Sequence, residues 1–235
     1  MSGNRWVAWA LGLFTLATAP APGFGQEQAA ELPAEAQQAL QKASQWDSYK
    51  TSFNLEAKEE DGRLFVLSGT LQFEKPGRRR LEIYEGEDKA NAQLLISDGS
   101  VEWQYYPQGG MVYRINQPPE PPGPHRPFSE AKPETLKFIE KVEEQGETLL
   151  RFEAEPQPST VEGAPAAVSK VELVVSAKDG LLREMALVDD KGQPLLTHRY
   201  KEFELNAKIP EDQFTFNPPE GVAIVDLPAQ KQQGA

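Results

Sequence analysis

The sequence QLLISDGSVEWQYYPQGGMVYRIN, residues 93–116, predicts three antiparallel strands joined by two tight turns. Asp98-Gly99 and Gly109-Gly110 supply residue types that tolerate the left-handed backbone of such turns. Apolar and polar residues alternate with the two-residue period of a half-buried strand. The apolar set, expected together on one face, comprises Val101, Trp103, Tyr105, Met111, Tyr113 and Ile115. Because an apolar face must be covered, the stretch predicts a layered fold.

Further strands are predicted on both sides of this meander. The same alternation runs through residues 49–57, 65–73, 148–154, 169–177 and 195–205. Two helices are expected, one over residues 32–46 and one over residues 134–145, where Leu136, Ile139 and Val142 share one side. The predicted fold class is therefore α+β. We expect a curved antiparallel sheet that forms an incomplete, half-open β-barrel covered by the helices.

The N-terminal residues are typical of a secretory signal peptide. Arg5 precedes an uncharged, mostly apolar run from Trp6 to Ala19, which is too short to span a bilayer. Small residues and prolines follow, and we expect cleavage after Gly25; an uncleaved membrane anchor is the alternative. The predicted organisation is a signal peptide over 1–25, one domain over 26–227 and a disordered tail over 228–235.

Composition restricts the possible functions. The net charge of −12 and the pI near 4.8 argue against a nucleic-acid partner. The chain has no cysteine, which excludes disulfides, thiolate metal sites and thiol nucleophiles. His125 and His198 are too few for a multi-histidine metal site, and His198 beside Arg199 is expected on the surface. With no phosphate-binding glycine loop or nucleophile elbow, we expect no enzymatic activity, no metal and no cofactor.

Three segments, in order, resemble the periplasmic outer-membrane lipoprotein carrier family (LolA-like). They are GTLQFEKP at 69–76, the SDG, Trp103 and YYP elements within 95–107, and FTFNPPEGV at 214–222. The resemblance extends from Glu35 to Leu227. It implies a half-barrel with helices in its mouth, enclosing an apolar cavity for acyl chains.

The resemblance also implies a function. A carrier of this kind shields the acyl chains of lipoproteins or lipids during transfer through the periplasm towards the outer membrane. It acts as a soluble monomeric chaperone between an inner-membrane donor protein and an outer-membrane acceptor protein. A non-transporting periplasmic sensor (RseB-like) on the same scaffold is the alternative. Such sensors usually carry a second domain, for which no room is expected after Leu227, so the carrier is favoured.

Ten residues are candidates for the cavity and its lid. At the family's arginine before proline, which is linked to lid opening, this chain has a lysine that keeps the charge but lacks the planar donor fork. The apolar candidates have ordinary core packing as their alternative. Arg78-Arg79-Arg80 are either a contact for anionic lipid or a solvated strand end. The candidate ligand-binding residues are Phe53, Leu55, Leu71, Phe73, Lys75, Trp103, Tyr105, Leu136, Phe138 and Ile139.

Overall fold

The computed structural model describes residues 32–58, 63–86, 88–116, 118, 123–157 and 168–227. The expected signal peptide and the expected C-terminal tail lie outside the described residues. The described helix α1 spans Ala34–Ala43. The strands are β1 Ser48–Lys58, β2 Leu64–Glu74, β3 Arg78–Glu85, β4 Gln93–Asp98, β5 Val101–Tyr106, β6 Met111–Asn116, β7 Lys137–Glu144, β8 Glu147–Ala154, β9 Lys170–Ser176, β10 Leu182–Val188, β11 Pro194–Leu205 and β12 Ala223–Leu227. No helix in these ranges has the length and apolar character needed to cross a bilayer.

The chain divides into two compact units, and three strands contribute residues to both. Among the described residues, the meander unit comprises 47–54, 66–86, 88–116, 118 and 201–227. Its strands are hydrogen-bonded in the order β12-β6-β5-β4-β3-β2-β1-β11. The pairs from β2 to β6 are antiparallel, and β12 adds in parallel to β6 with Val225 opposite Tyr113. This confirms the predicted antiparallel meander. The expectation that its six apolar residues share one face is wrong, because Tyr113 lies opposite Gln104 and not opposite Trp103. Val101, Trp103 and Tyr105 lie on one face, and Met111, Tyr113 and Ile115 lie on the other.

The second unit contains α1 and, among the described residues, 55–58, 63–65, 123–157 and 168–200. Its strand order is β1-β11-β10-β9-β8-β7. Helix α1 buries Ala36, Ala39 and Ala43, small residues that allow a close approach. Gly180, in the turn between β9 and β10, lies directly against the helix with φ +78°. A Cβ atom added there would come within 2.0 Å of the Ala39 carbonyl oxygen. Only glycine satisfies both the backbone angle and the space.

Alternating burial in β1 follows the predicted period. Tyr49, Thr51, Phe53, Leu55 and Ala57 are all buried, and the residues between them are partly exposed. The Phe53 ring of β1 packs closely against Gly69 of β2, since a Cβ atom on Gly69 would lie 2.3 Å from that ring.

The surface position expected for His198 is wrong: its imidazole is buried at 3% exposure. His198 stands opposite Met185 of β10, so it occupies a core position of its strand.

The helix predicted over residues 134–145 is also wrong, because residues 137–144 form strand β7. Gln145 and Gly146 have φ values of 51° and 82°, which make a tight two-residue hairpin turn to β8. The register shifts between Phe138 and Glu140, so Ile139 is the extra residue of a bulge. Because of the bulge, a strand accommodates the apolar residues of this segment at the three- and four-residue spacing that is typical of a helix. The antiparallel sheet is therefore confirmed, but the described residues do not confirm the expected helical cover.

Candidate functional site

The cross-strand register assigns each residue of β2 to β6 to one of two faces. Residues directly opposite one another on paired strands project to the same face. One row runs Phe73, Arg79, Ser97, Glu102, Ile115, and the next runs Leu71, Leu81, Leu95, Gln104, Tyr113. We call the face that carries these two rows the Arg79 face. The opposite side, the Trp103 face, carries the row Gln72, Arg80, Ile96, Trp103, Arg114.

The Arg79 face contains a buried ion pair. Arg79 and Glu102 have side-chain exposures of 5% and 1%, and Arg79 Nη2 contacts Glu102 Oε2. The two residues stand two strands apart with Ser97 between them, and its small side chain leaves room for the guanidinium to reach across. Gln104 Nε2 donates to Glu102 Oε1 at 2.7 Å, and the Tyr106 hydroxyl donates to Gln104 Oε1 at 3.2 Å. A polar chain therefore runs along β5 from a charged end to a phenol.

The guanidinium is incompletely satisfied. Arg79 Nε and Nη1 are buried and have no hydrogen-bond partner among the described residues. A buried donor without a partner costs about 1–3 kcal/mol, and more when it belongs to a charged group. Desolvation by burial lowers the pKa of Arg79 to about 9, which still leaves the group charged at neutral pH. The site is thus a buried cation with one carboxylate partner and two unused nitrogens.

Tyr106 is the neutral end of the chain. Burial, with a smaller contribution from Tyr113, raises the pKa of Tyr106 to about 12, so its hydroxyl remains a donor at all physiological pH values. Together these groups offer directional hydrogen bonds rather than a nucleophile or a general base. Within the described ranges, no three His, Cys, Asp or Glu side chains are grouped so that they could hold a metal ion.

The Trp103 face carries aromatic residues that a different part of the chain covers. The ring of Phe216 lies 5.9 Å from Trp103 and 5.8 Å from Tyr105, and the Arg114 guanidinium lies 5.6 Å from the Trp103 ring. Trp103 and Tyr105 are only partly buried, whereas Glu102 and Gln104, which alternate with them, are buried. The expected burial order of this strand is therefore inverted. Glu102 can occupy the buried side because Arg79 neutralises its charge there.

Within the meander unit, the candidate residues are divided between the two faces of the sheet. Leu71 and Phe73 lie on the Arg79 face, and Trp103 and Tyr105 lie on the other. Phe53 and Leu55 are buried in β1, at 1% and 0% exposure. The Lys75 ammonium is 3.5 Å from Asp47 Oδ1, and its side chain is 41% exposed. The predicted lid residues Leu136, Phe138 and Ile139 belong to the second unit.

Those lid residues have three different environments. Leu136 is buried, the Phe138 ring packs against Phe152 at 5.6 Å, and Ile139 is 49% exposed at the bulge. Their expected placement along one side of a helix is wrong, because Phe138 and Ile139 lie in strand β7 and Leu136 directly precedes it.

The residues that the sequence analysis did not select are Glu102, Gln104 and Tyr106, and Arg79 was considered only as part of a basic run. One signal was available: Arg79 alternates with Leu81 and Ile83, so it is in phase with apolar residues of its strand. Arg78 and Arg80, by contrast, are paired with Glu74 and Glu82. The alternative of a balanced strand end thus fits Arg78 and Arg80, but not the buried Arg79.

A surface cleft of about 510 Å³ lies elsewhere in the meander unit. Its lining is mainly polar: Ser52, Asn54, Ser68, Tyr84, Lys89, Lys201 and Glu202, together with Phe53 and two glycines. The Lys89 ammonium lies 5.3 Å from the Tyr84 ring, and the Ser52 hydroxyl donates to Glu202 at 2.5 Å. Because polar groups dominate, this cleft is unsuited to an acyl chain.

Comparison with known proteins relates the chain to lipoprotein carriers. Residues 44–217 match the family model "Outer membrane lipoprotein carrier protein LolA". An outer-membrane lipoprotein carrier protein of Nitrosomonas europaea is 29% identical over 67% of this chain and 72% of its own length. The Nitrosospira multiformis protein of the same name is 30% identical over 68% and 72%. The structure of an uncharacterised conserved protein from Thermus thermophilus shares the fold, with a TM-score of 0.59 at 14% identity, covering 82% of this chain and 99% of that one.

Proposed function

The chain belongs to the LolA family of outer-membrane lipoprotein carriers, and we propose that it is a periplasmic carrier which shields acyl chains on the Arg79 face. The cargo is the acylated end of a lipoprotein or a lipid, moved towards the outer membrane. The single observation that supports this most is the family match over residues 44–217, which includes every strand that builds this face except β12. The donor and acceptor proteins and the monomeric state belong to the same proposal.

The apolar part of the Arg79 face supplies the surface that an acyl chain requires. Leu71, Leu81 and Leu95 form one cross-strand row, and Phe73 lies beside it, stacked on Tyr49 at 5.2 Å. Burying about ten methylenes is worth roughly 8 kcal/mol, equivalent to about micromolar affinity. These side chains already have contacts within the protein, so an entering chain exchanges contacts and the net gain falls below that ceiling. No covalent step is needed to hold the cargo.

A displacement titration tests acyl binding. Delipidated protein is titrated with a fluorescent C16 acyl probe, which is then competed with unlabelled acyl lipids. Leu95→Ala and Ile96→Ala form a matched pair, because the two neighbours are each 1% exposed but face opposite sides of the sheet. We expect both variants to lose similar stability, about 2–5 kcal/mol. Only Leu95→Ala should weaken probe binding; equal weakening by both, or no binding by wild type, would contradict the proposal.

Transfer distinguishes a carrier from a sensor. An acylated lipoprotein in donor vesicles should form a soluble complex with the protein and then pass to acceptor vesicles. Binding without release would instead favour the non-transporting sensor.

Export is tested separately by the intact mass of the protein from the periplasm, which should correspond to a chain that begins between about Pro20 and Ala30. Recovery of a chain starting at Met1 from the membrane fraction would contradict export.

A further inference from the structure

The buried Arg79 guanidinium has more donors than its surroundings use. Nη2 contacts Glu102, whereas Nε and Nη1 have no hydrogen-bond partner among the described residues. Arg79 is 4% exposed, so bulk water does not supply the missing acceptors. Buried polar groups in folded proteins are nearly always paired, and one that is not requires an explanation, such as a functional role or an acceptor that binds there. The unused donors therefore point to a ligand atom.

Charge decides which kind of acceptor fits. Arg79 and Glu102 together are neutral, and both side chains are almost fully buried. An anionic ligand would place a second negative charge beside the carboxylate, with only one guanidinium to offset both. A carbonyl oxygen accepts from Nε or Nη1 and adds no net charge. The electrostatics of the pair thus favour a neutral acceptor over a carboxylate or a phosphate.

The position of the pair relates that acceptor to the rest of a lipid. Phe73 is directly opposite Arg79, and the row Leu71–Leu81–Leu95 comes next on the same face. A molecule whose carbonyl reaches Arg79 would have its adjoining hydrocarbon beside these apolar side chains. Gln104, in the apolar row itself, is already occupied by Glu102 and Tyr106, which leaves Arg79 as the unsatisfied member.

We propose that Arg79 is a specificity-determining residue that recognises the ester carbonyl of a neutral acylglycerol group, and that Glu102 excludes free fatty acids from the same place. The proposal rests on the proposed acyl-binding function and adds the chemistry of the linkage to it. Arg79 donates from Nε or Nη1 to the carbonyl, while Glu102 holds Nη2 and keeps the pair neutral. The acylglycerol moiety of a lipoprotein and a free monoacylglycerol share this chemistry.

Three probes with the same C18 chain isolate the carbonyl and the charge. Monooleoylglycerol carries the ester, its glycerol ether analogue lacks only the carbonyl, and oleate carries the negative charge. For wild type we expect the ester to bind about tenfold more tightly than the ether, as one hydrogen bond to a charged group predicts. The ester should also bind more tightly than oleate at pH 7. Glu102→Gln should raise the affinity for oleate, because it removes the competing carboxylate.

The double variant Arg79→Met/Glu102→Leu removes the pair without leaving either charge alone in the core. We expect it to retain acyl binding and to bind ester and ether equally. Arg80→Met/Glu82→Leu is the control, because it removes an ion pair of 2.8 Å from the opposite face; it should keep the tenfold preference. A lipoprotein-derived diacylglyceryl peptide, compared with its ether analogue, shows whether the preference extends to protein-linked lipid.

The outcomes separate the two proposals. If no C18 probe binds wild type, acyl binding itself fails and the inference fails with it. If ester and ether bind wild type equally well, the carrier proposal stands and the role of Arg79 is overturned. Tighter binding of oleate than of the ester to wild type would also overturn it, since an anion would then be the preferred partner.

Discussion

Removing the Arg79–Glu102 pair should affect stability in opposite ways, depending on whether one or both members are changed. Arg79→Met leaves the Glu102 carboxylate, which is 1% exposed, without its cation. Glu102→Leu leaves the guanidinium without its anion. Breaking a buried pair on one side typically costs about 3–5 kcal/mol, and we expect each single variant to lose that much.

The penalty for burying the charge can be estimated from the guanidinium alone. Burial lowers the pKa of Arg79 from 12.5 to about 9. At 1.36 kcal/mol per pKa unit, that shift corresponds to a desolvation penalty on the order of 5 kcal/mol for the charged form. The double variant Arg79→Met/Glu102→Leu removes both penalties and fills the same space with apolar groups. We therefore expect it to unfold at or above the wild-type free energy, by up to about 4 kcal/mol.

Urea unfolding of wild type, both single variants and the double variant at pH 7 measures this cycle. The expected coupling is large and positive, because the double variant is more stable than either single one. Arg80→Met/Glu82→Leu is the partly exposed control, with side-chain exposures of 20% and 31%, and its cycle should give about 1 kcal/mol or less. A double variant that loses the sum of the two single losses would refute the reasoning, since the pair would then be a net source of stability.

Three further predictions concern single positions. Gly180→Ala should lose about 3–5 kcal/mol of stability. Gly192→Ala is the control, because Gly192 has nearly the same φ of +76° but its added Cβ atom meets no described atom within 4 Å, and it should lose only about 1–2 kcal/mol. Thermal melts compare the two variants, and equal losses would contradict the contact between Gly180 and the helix. Burial lowers the pKa of His198 to about 3, so between about pH 6.5 and pH 3 the imidazole binds a proton only in the unfolded chain. Stability should therefore fall by about 1.4 kcal/mol for each unit by which the pH is lowered in this range. His198→Gln should remove that slope, as urea unfolding at a series of pH values would show. Trp103→Ala should lose about 1–3 kcal/mol through its contact with Phe216 and leave acyl affinity unchanged; a loss of affinity in a stable variant would return Trp103 to the binding site.

Local patterns were sufficient where the structure depends on neighbours in sequence. The alternation over residues 49–57 predicted which side chains of β1 are buried, because successive side chains of any strand point to opposite faces. The small residues of α1 and the proline at its start likewise indicated the first helix. The turn at Asp98-Gly99 follows from residue type, since Asp98 Oδ1 accepts from the backbone N–H of Ser100 at 2.7 Å.

Local patterns failed where spacing is compatible with more than one structure. Leu136, Ile139 and Val142 have the spacing of a helix face, and the same spacing arises in a strand that contains a bulge. What decides between them is the pairing with β8, in which Phe138 lies opposite Phe152. That contact depends on a partner strand and not on propensity within the segment. The lid residues were therefore identified with the wrong element.

The polar site itself was beyond local reasoning, because alternation defines two faces of a strand but not which face is buried. Residue type favours Trp103 as the core residue of β5, but it is Glu102 that is buried. Trp103 lies on the opposite face and contacts Phe216 from a distant segment of the chain. Glu102 can do so only because the register places Arg79, Ser97 and Glu102 in one row. A slip of one residue between β4 and β5 would turn Glu102 to the other face and leave the guanidinium alone in the core. The ion pair and the register therefore support one another, and the same register places two unused donors beside an apolar row.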